Sequence, residues 1–149
     1  MYKNILIATD GSELSGKGMA VGFEMAREAG AKVAVLTVTE RLPAFDVGSR
    51  LGFFRDPTTT ERYDADCRQT AEAILARAAE AASAAGVACE TIHVANNAPA
   101  RAILDTARTR GSDLIIVTSH GRDGFEGILL GSQALRVVEA AEIAVLVVR

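Results

Sequence analysis

Apolar residues along this chain follow two rhythms. Short unbroken runs bounded by polar residues, Ile5-Leu6-Ile7-Ala8 after Lys3-Asn4, Lys32 to Val38, Asp113 to Val117 and Ile143 to Val148, have the length of strands buried on both faces. Between them apolar residues recur every three or four positions. Leu14, Met19, Phe23 and Ala26 predict a helix that Gly30 stops. Ala71, Ile74, Leu75, Ala78 and Ala82 form one stripe of a longer helix over Glu61 to Ala85. Arg68, Glu72, Arg77 and Glu80 fall off that stripe, and Gly86 closes it. Val87 to Val94 alternates through Val87, Cys89, Thr91 and His93, as a half-exposed edge strand does. Pro99 suits the first position of a helix with Ala102, Ile103 and Ala107 inward, which Gly111-Ser112 breaks. The last helix is expected from about Ser132 to Ala141, with Ala134, Leu135, Val138 and Ala141 inward.

From Thr39 to about Thr60 the rhythm is lost. Pro43, Gly48, Gly52 and Pro57 punctuate it and Phe45, Phe53 and Phe54 are scattered through it, which predicts a long loop or lid. Its aromatics either cover a ligand or partner or pin the loop to the body. Five strands alternating with four helices predict a doubly wound α/β fold. It is an open Rossmann-like sandwich with a parallel sheet and right-handed crossovers, and one domain over residues 1–149.

Composition narrows the chemistry. Aromatics are 5% of the 149 residues and Trp is absent, so the core must be built from Val, Ile, Leu and Ala. A formal charge of −3 argues against nucleic acid, whose phosphates select basic faces. Cys67 and Cys89 have no CxxC spacing and read as reduced thiols, and with two histidines they lack zinc spacing. No apolar run is long enough to span a bilayer, and a strand pattern follows Met1 almost at once, so a cytoplasmic protein is expected.

In a doubly wound sheet, ligands sit beyond the carboxyl ends of the strands. Those ends are Ala8-Thr9-Asp10, Val38-Thr39-Glu40, Val94-Ala95-Asn96 and Val117-Thr118-Ser119. Asp10 can accept from ribose hydroxyls or hold a Mg²⁺ beside a phosphate; equally, it can cap the first helix. The stretch from Val117-Thr118-Ser119-His120-Gly121 to Gly131-Ser132-Gln133 runs from a strand through a glycine-bearing loop into a helix. That geometry collects N–H groups and a helix dipole around an anion. It is neither a P-loop nor a GxGxxG fingerprint. Ser132 is a good N-cap with or without phosphate, and Arg122 either neutralises phosphate or is a solvated loop charge. His120 reads as a contact rather than a base, and no Ser/His/Asp or Cys/His set can be assembled.

With these residues assembled, the chain resembles the universal stress proteins over nearly its whole length. Ile5 to Ser12 resembles the family's first strand and aspartate turn, and Ala144 to Val148 its last strand. ATP-binding members carry a glycine, two residues, a second glycine, nine residues, then glycine with Ser or Thr. Here Gly121 matches the second glycine, Arg122 to Leu130 the nine residues, and Gly131-Ser132 the end. Thr118 replaces the first glycine, and Gln133-Ala134 stand where a small apolar residue and a hydroxyl are common. The resemblance implies an adenine nucleotide, ATP or its ADP or AMP forms, with Mg²⁺. Adenine and ribose would meet Ala8, Thr9, Asp10 and Val38, and the phosphates Gly121, Arg122, Gly131, Ser132 and Gln133, with Val117, Thr118 and His120 beside them. It also implies a homodimer through Ile143 to Val148 and a regulatory or protective role under stress. Two other readings stay open. One is a slow ATPase or phosphotransferase using Asp10, His120 and Mg²⁺. The other is a nucleotide-free interaction module in which Thr118 closes the site and Thr39 to Thr60 docks a protein partner.

Overall fold

The computed structural model describes residues 1–41, 57–95, 97–120 and 130–149. Most of the expected lid over Thr39 to Thr60, including its three phenylalanines, lies outside the described residues, as do Gly121 and Arg122. The elements are β1 (Asn4–Ala8), α1 (Glu13–Ala29), β2 (Lys32–Thr39), α2 (Pro57–Ala84), β3 (Cys89–Ala95), α3 (Pro99–Arg110), β4 (Leu114–Thr118), α4 (Ser132–Ala140) and β5 (Ala144–Val148). The strands form one parallel sheet in the order β3-β2-β1-β4-β5.

β1 lies at the centre, and Ile5, Leu6 and Ile7 are almost wholly removed from water. Burial on both faces is worth roughly 2 kcal/mol per side chain, which is why the run shows no polar alternation. Successive side chains take opposite faces. Ile5, Ile7, Val33, Val35, Leu114 and Ile116 pack under Phe23 and Ala26 of α1 and Leu75, Ala78 and Ala82 of α2. Leu6, Ala34, Leu36, Ile115 and Val117 pack under Ala100, Ile103 and Ala107 of α3 and Ala134 and Val137 of α4. α1 comes so close to the sheet that a methyl group on Gly22 would fall on the side chains of Ile7 and Ile116. Gly30 ends α1 in the left-handed conformation, φ 63°, as expected of a C-terminal stop.

Two expectations need correction. α2 starts at Pro57 rather than Glu61, because its first turns, Thr58-Thr59-Thr60 onward, are largely exposed and carry no apolar rhythm. In α4 the inward residues are Ala134 and Val137, whereas Leu135 and Val138 are 43% and 42% exposed. The sequence pattern favoured the bulkier pair, but the sheet accepts the next residues round. As expected, β3 is an edge. His93 there meets Thr39 Oγ1 of β2 through Nε2 at 2.9 Å, a contact between strands. No helix among the described residues is long and apolar enough to cross a membrane.

Candidate functional site

The strand order places the reversal of direction between β1 and β4, so the crevice opens where Thr9-Asp10 and Thr118-Ser119-His120 leave the sheet. The β1 side is rigidly built. Thr9 is buried, its N–H donates to Leu36 O, and its hydroxyl donates to Ser15 Oγ at 2.9 Å. Gly11 N–H in turn donates to Thr9 Oγ1 at 3.2 Å. Asp10 Oδ1 accepts the Ser12 N–H at 2.9 Å, which shapes the turn. The cap of α1 is Ser12, whose hydroxyl accepts Ser15 N–H at 3.1 Å. Asp10 therefore shapes the approach to the helix, and the capping role that the sequence allowed it belongs to its neighbour.

Ala8 and Val38 lie on the same face of adjacent strands, both half-buried against the cluster under α3 and α4. They give the crevice an apolar wall. Val117 is buried deeper on that face. Thr118 turns to the other side. Its Oγ1 donates to His120 O at 3.0 Å, and its methyl group sits where a Cβ on Gly18 of α1 would be only 3.0 Å away. The bulk that distinguishes Thr118 from glycine is thus taken up under α1. Ser119 is buried, and its hydroxyl lies 3.0 Å from His120 Nδ1. His120 Nε2 is buried and has no hydrogen-bond partner among the described residues.

Gly131 N–H donates to Ser119 O, and a Cβ on Gly131 would stand 3.0 Å from that same oxygen. Its φ is −67°, an ordinary extended value. Gly131 is needed for close approach rather than for an unusual backbone. It, and not Ser132, is the N-cap of α4, and as glycine it brings no side-chain cap of its own. Ser132 occupies the first helical position and is exposed. The N-cap residue therefore offers the first N–H groups of α4 no side-chain acceptor, at a place the sheet brings beside the crevice. Gln133 is occupied elsewhere: its Oε1 accepts Ala100 N–H at 3.1 Å, at the start of α3, whose own N-cap residue Ala98 offers no side-chain bond.

The structure thus brings Ala8, Thr9, Asp10, Val38, Thr118, His120, Gly131 and Ser132 to one end of the sheet. It turns Gln133 toward α3, while Val117 lies beneath the site. Two organising residues escaped the sequence reading, Ser15 and Gly18, and Ser119 entered it only as part of a strand end. Ser15 and Gly18 lie within the helical pattern of α1, where nothing local marks them. Among the described residues no three His, Cys, Asp or Glu side chains are grouped to hold a metal. Two other concavities lie away from this end: a groove of about 510 Å³ between α1 and α2, and a cavity of about 200 Å³ between the carboxyl ends of α3 and α4.

Comparison with known proteins agrees with this architecture. The model of the universal stress protein family matches residues 1–149. The universal stress protein YxiE of Bacillus subtilis is 33% identical over 150 residues, covering 100% of both chains. A universal stress protein solved in complex with cAMP superposes with a TM-score of 0.70 at 25% identity, over 99% of this chain and 97% of that one. The Archaeoglobus fulgidus universal stress protein solved in complex with dAMP superposes with a TM-score of 0.71 at 21% identity, over 99% and 98%. With a crevice at the β1/β4 reversal, an aspartate turn on one side and a glycine-capped helix on the other, this chain belongs to the universal stress protein family.

Proposed function

We propose that this chain binds an adenine nucleotide, ATP in its working form, across the carboxyl ends of β1 and β4. The observation that carries the reading is the start of α4. Gly131 draws a helix entrance whose N-cap residue has no side chain up to Ser119, across the crevice from the Thr9-Asp10 turn. Such an entrance favours phosphate through its N–H groups and dipole. Ala8 and Val38 offer an apolar face for adenine, and Asp10 a carboxylate for the ribose hydroxyls. A triphosphate is favoured over a monophosphate by the spacing from Gly121 to Gly131-Ser132, which resembles that of ATP-binding members. The family relative solved with cAMP supports an adenine ligand. A Mg²⁺ would ride on the phosphate oxygens, and were Asp10 to turn from the ribose it would be the carboxylate to hold it. Gln133 supports the site from behind by holding α4 to α3.

The nucleotide acts as a sensed ligand in a regulatory or protective role under stress, and two copies join through β5. The reading is tested by denaturing the purified protein and resolving the supernatant by anion exchange, then titrating stripped protein with ATP and Mg²⁺. Released ATP, ADP or AMP, or saturable heat on titration, is expected. An empty supernatant together with a flat titration would overturn it.

A further inference from the structure

The buried face of α1 is made of Ser15, Gly18, Gly22, Phe23 and Ala26. Ser15 is its odd member. It is 1% exposed, and a serine there weakens the helix and buries a hydroxyl, where alanine would do neither. Half of its bonding is ordinary. A helical serine can donate to the carbonyl one turn back, and Ser15 Oγ donates to Ser12 O at 2.8 Å. The other half comes from outside the helix. Thr9 Oγ1, at the end of β1, donates to Ser15 Oγ, and Gly11 N–H donates to Thr9 Oγ1. The bonds run in one direction, from Gly11 N–H through Thr9 and Ser15 to Ser12 O, and each hydroxyl accepts once and donates once. A directed chain of this kind strengthens its own members, and Thr9 and Ser15 are both shielded from water.

The chain brackets Asp10. Thr9, on one side, has its N–H fixed on Leu36 O of β2 and its hydroxyl on Ser15. Gly11, on the other, makes the bend at φ 79° and is tied back to Thr9. Ser12 is held by Ser15 at two atoms, its O accepting the Ser15 hydroxyl and its Oγ the Ser15 N–H, while its own N–H donates to Asp10 Oδ1. The carboxylate is thus carried on a turn that Ser15 fastens to α1 at both ends.

We propose that Ser15 is a positioning residue for ribose recognition. Through Thr9 and Ser12 it holds Asp10 where the carboxylate meets the ribose hydroxyls, and so sets the preference for a nucleotide that carries them. The inference rests on the nucleotide reading given above and deepens it with a residue too deeply buried to touch the ligand. Hydrogen bonds to a carboxylate are strong only at short distance and good alignment, so a small shift of the turn weakens them steeply. Without the Ser15 hydroxyl, Thr9 Oγ1 loses its acceptor, turns to find another and releases Gly11. The apolar wall of Ala8 and Val38 and the entrance of α4 take no part in the chain, so the base and phosphate contacts are retained. The loss is confined to the sugar.

Titration calorimetry of stripped protein with ATP and with 2′,3′-dideoxy-ATP, both with Mg²⁺, reads the ribose preference as a ratio of affinities. The unaltered protein should favour ATP by about tenfold or more. In Ser15→Ala the dideoxy nucleotide should keep its affinity within about twofold while ATP falls toward it, to a preference of about threefold or less. A serine that only supports the fold would lower both affinities together. An unchanged ratio therefore overturns the proposal. Thr9→Val with Ser15→Ala separates the chain from the cost of one stranded hydroxyl. With both hydroxyls gone, the thermal midpoint should recover relative to Ser15→Ala while the ribose preference stays low. A preference that recovers with the midpoint also overturns the proposal. Equal affinity of the unaltered protein for the two nucleotides overturns this inference and leaves nucleotide binding standing. Binding of neither overturns the nucleotide reading itself, and this inference with it.

Discussion

Ser132 shows how a residue's part is fixed by one position of offset. As an N-cap it would have spent its hydroxyl on the helix; as the first helical residue it is exposed beside the helix entrance. That position separates fold from function. In Ser132→Asp a carboxylate is added where the helix dipole favours it, so the thermal midpoint should hold or rise slightly. The same carboxylate would repel a nucleotide's phosphates, and ATP affinity should fall at least tenfold by titration calorimetry. Undiminished affinity would mean the phosphates lie elsewhere. Gly131→Asp cannot make this distinction. Any Cβ at Gly131 meets Ser119 O at 3.0 Å, so packing would suffer whether or not a nucleotide binds. Thr118 carries the opposite lesson. Against the family's glycine it reads as an obstruction, but its methyl group lies under α1 beside Gly18 and its hydroxyl holds His120 O. No local pattern links positions 18 and 118, so only the packing of α1 on β4 could reveal that accommodation.

At the scale of elements, the strands and the glycine stops were legible and the orientation of α4 was not. Buried parallel strands announce themselves because both faces must be apolar. A short helix on one side of the sheet offers a weaker signal, and in α4 the largest apolar residues point away from the core. Gln133 links two elements in the same region, satisfying an N–H at the start of α3 that Ala98 leaves without a side-chain partner. Gln133→Ala should therefore cost about 1 kcal/mol of unfolding free energy in urea titration. It should lower ATP affinity only modestly, by loosening α4. A large loss of affinity with no loss of stability would instead make Gln133 a direct ligand.

At the scale of the whole molecule, the sheet is tied at its amino end as well as at the crevice. Asp113, just before β4, accepts Lys3 N–H at 2.8 Å and Asn4 N–H at 2.9 Å, while its own N–H donates to Asn4 O. Desolvation pushes this carboxyl up, but the two N–H bonds from Asn4 and Lys3 outweigh it and hold it below the usual range. A depressed folded pKa stabilises the fold above the unfolded value, near 3.9, and that contribution is lost as pH falls through the folded value. Asp113→Asn should lower the thermal midpoint at neutral pH. The gap to the unaltered protein should hold down to about pH 5 and close in stronger acid. A gap independent of pH would show that the carboxylate's charge has no part in the latch.

The sequence by itself determined the alternation of strands and helices, the aliphatic core, and the residues gathered at the strand ends. Each of these follows from local rules: apolar continuity for strands buried on both faces, helical spacing for amphipathic helices, and glycine at a left-handed stop. Only the tertiary structure decided the strand order that opens the crevice between β1 and β4. It alone decided which side of Thr118 faces α1, why Gly131 must lack a Cβ, and which residues of α4 are left exposed. These depend on contacts between positions about 100 residues apart, such as Gly18 with Thr118, and no local pattern in the chain encodes which surfaces long-range packing will bring together.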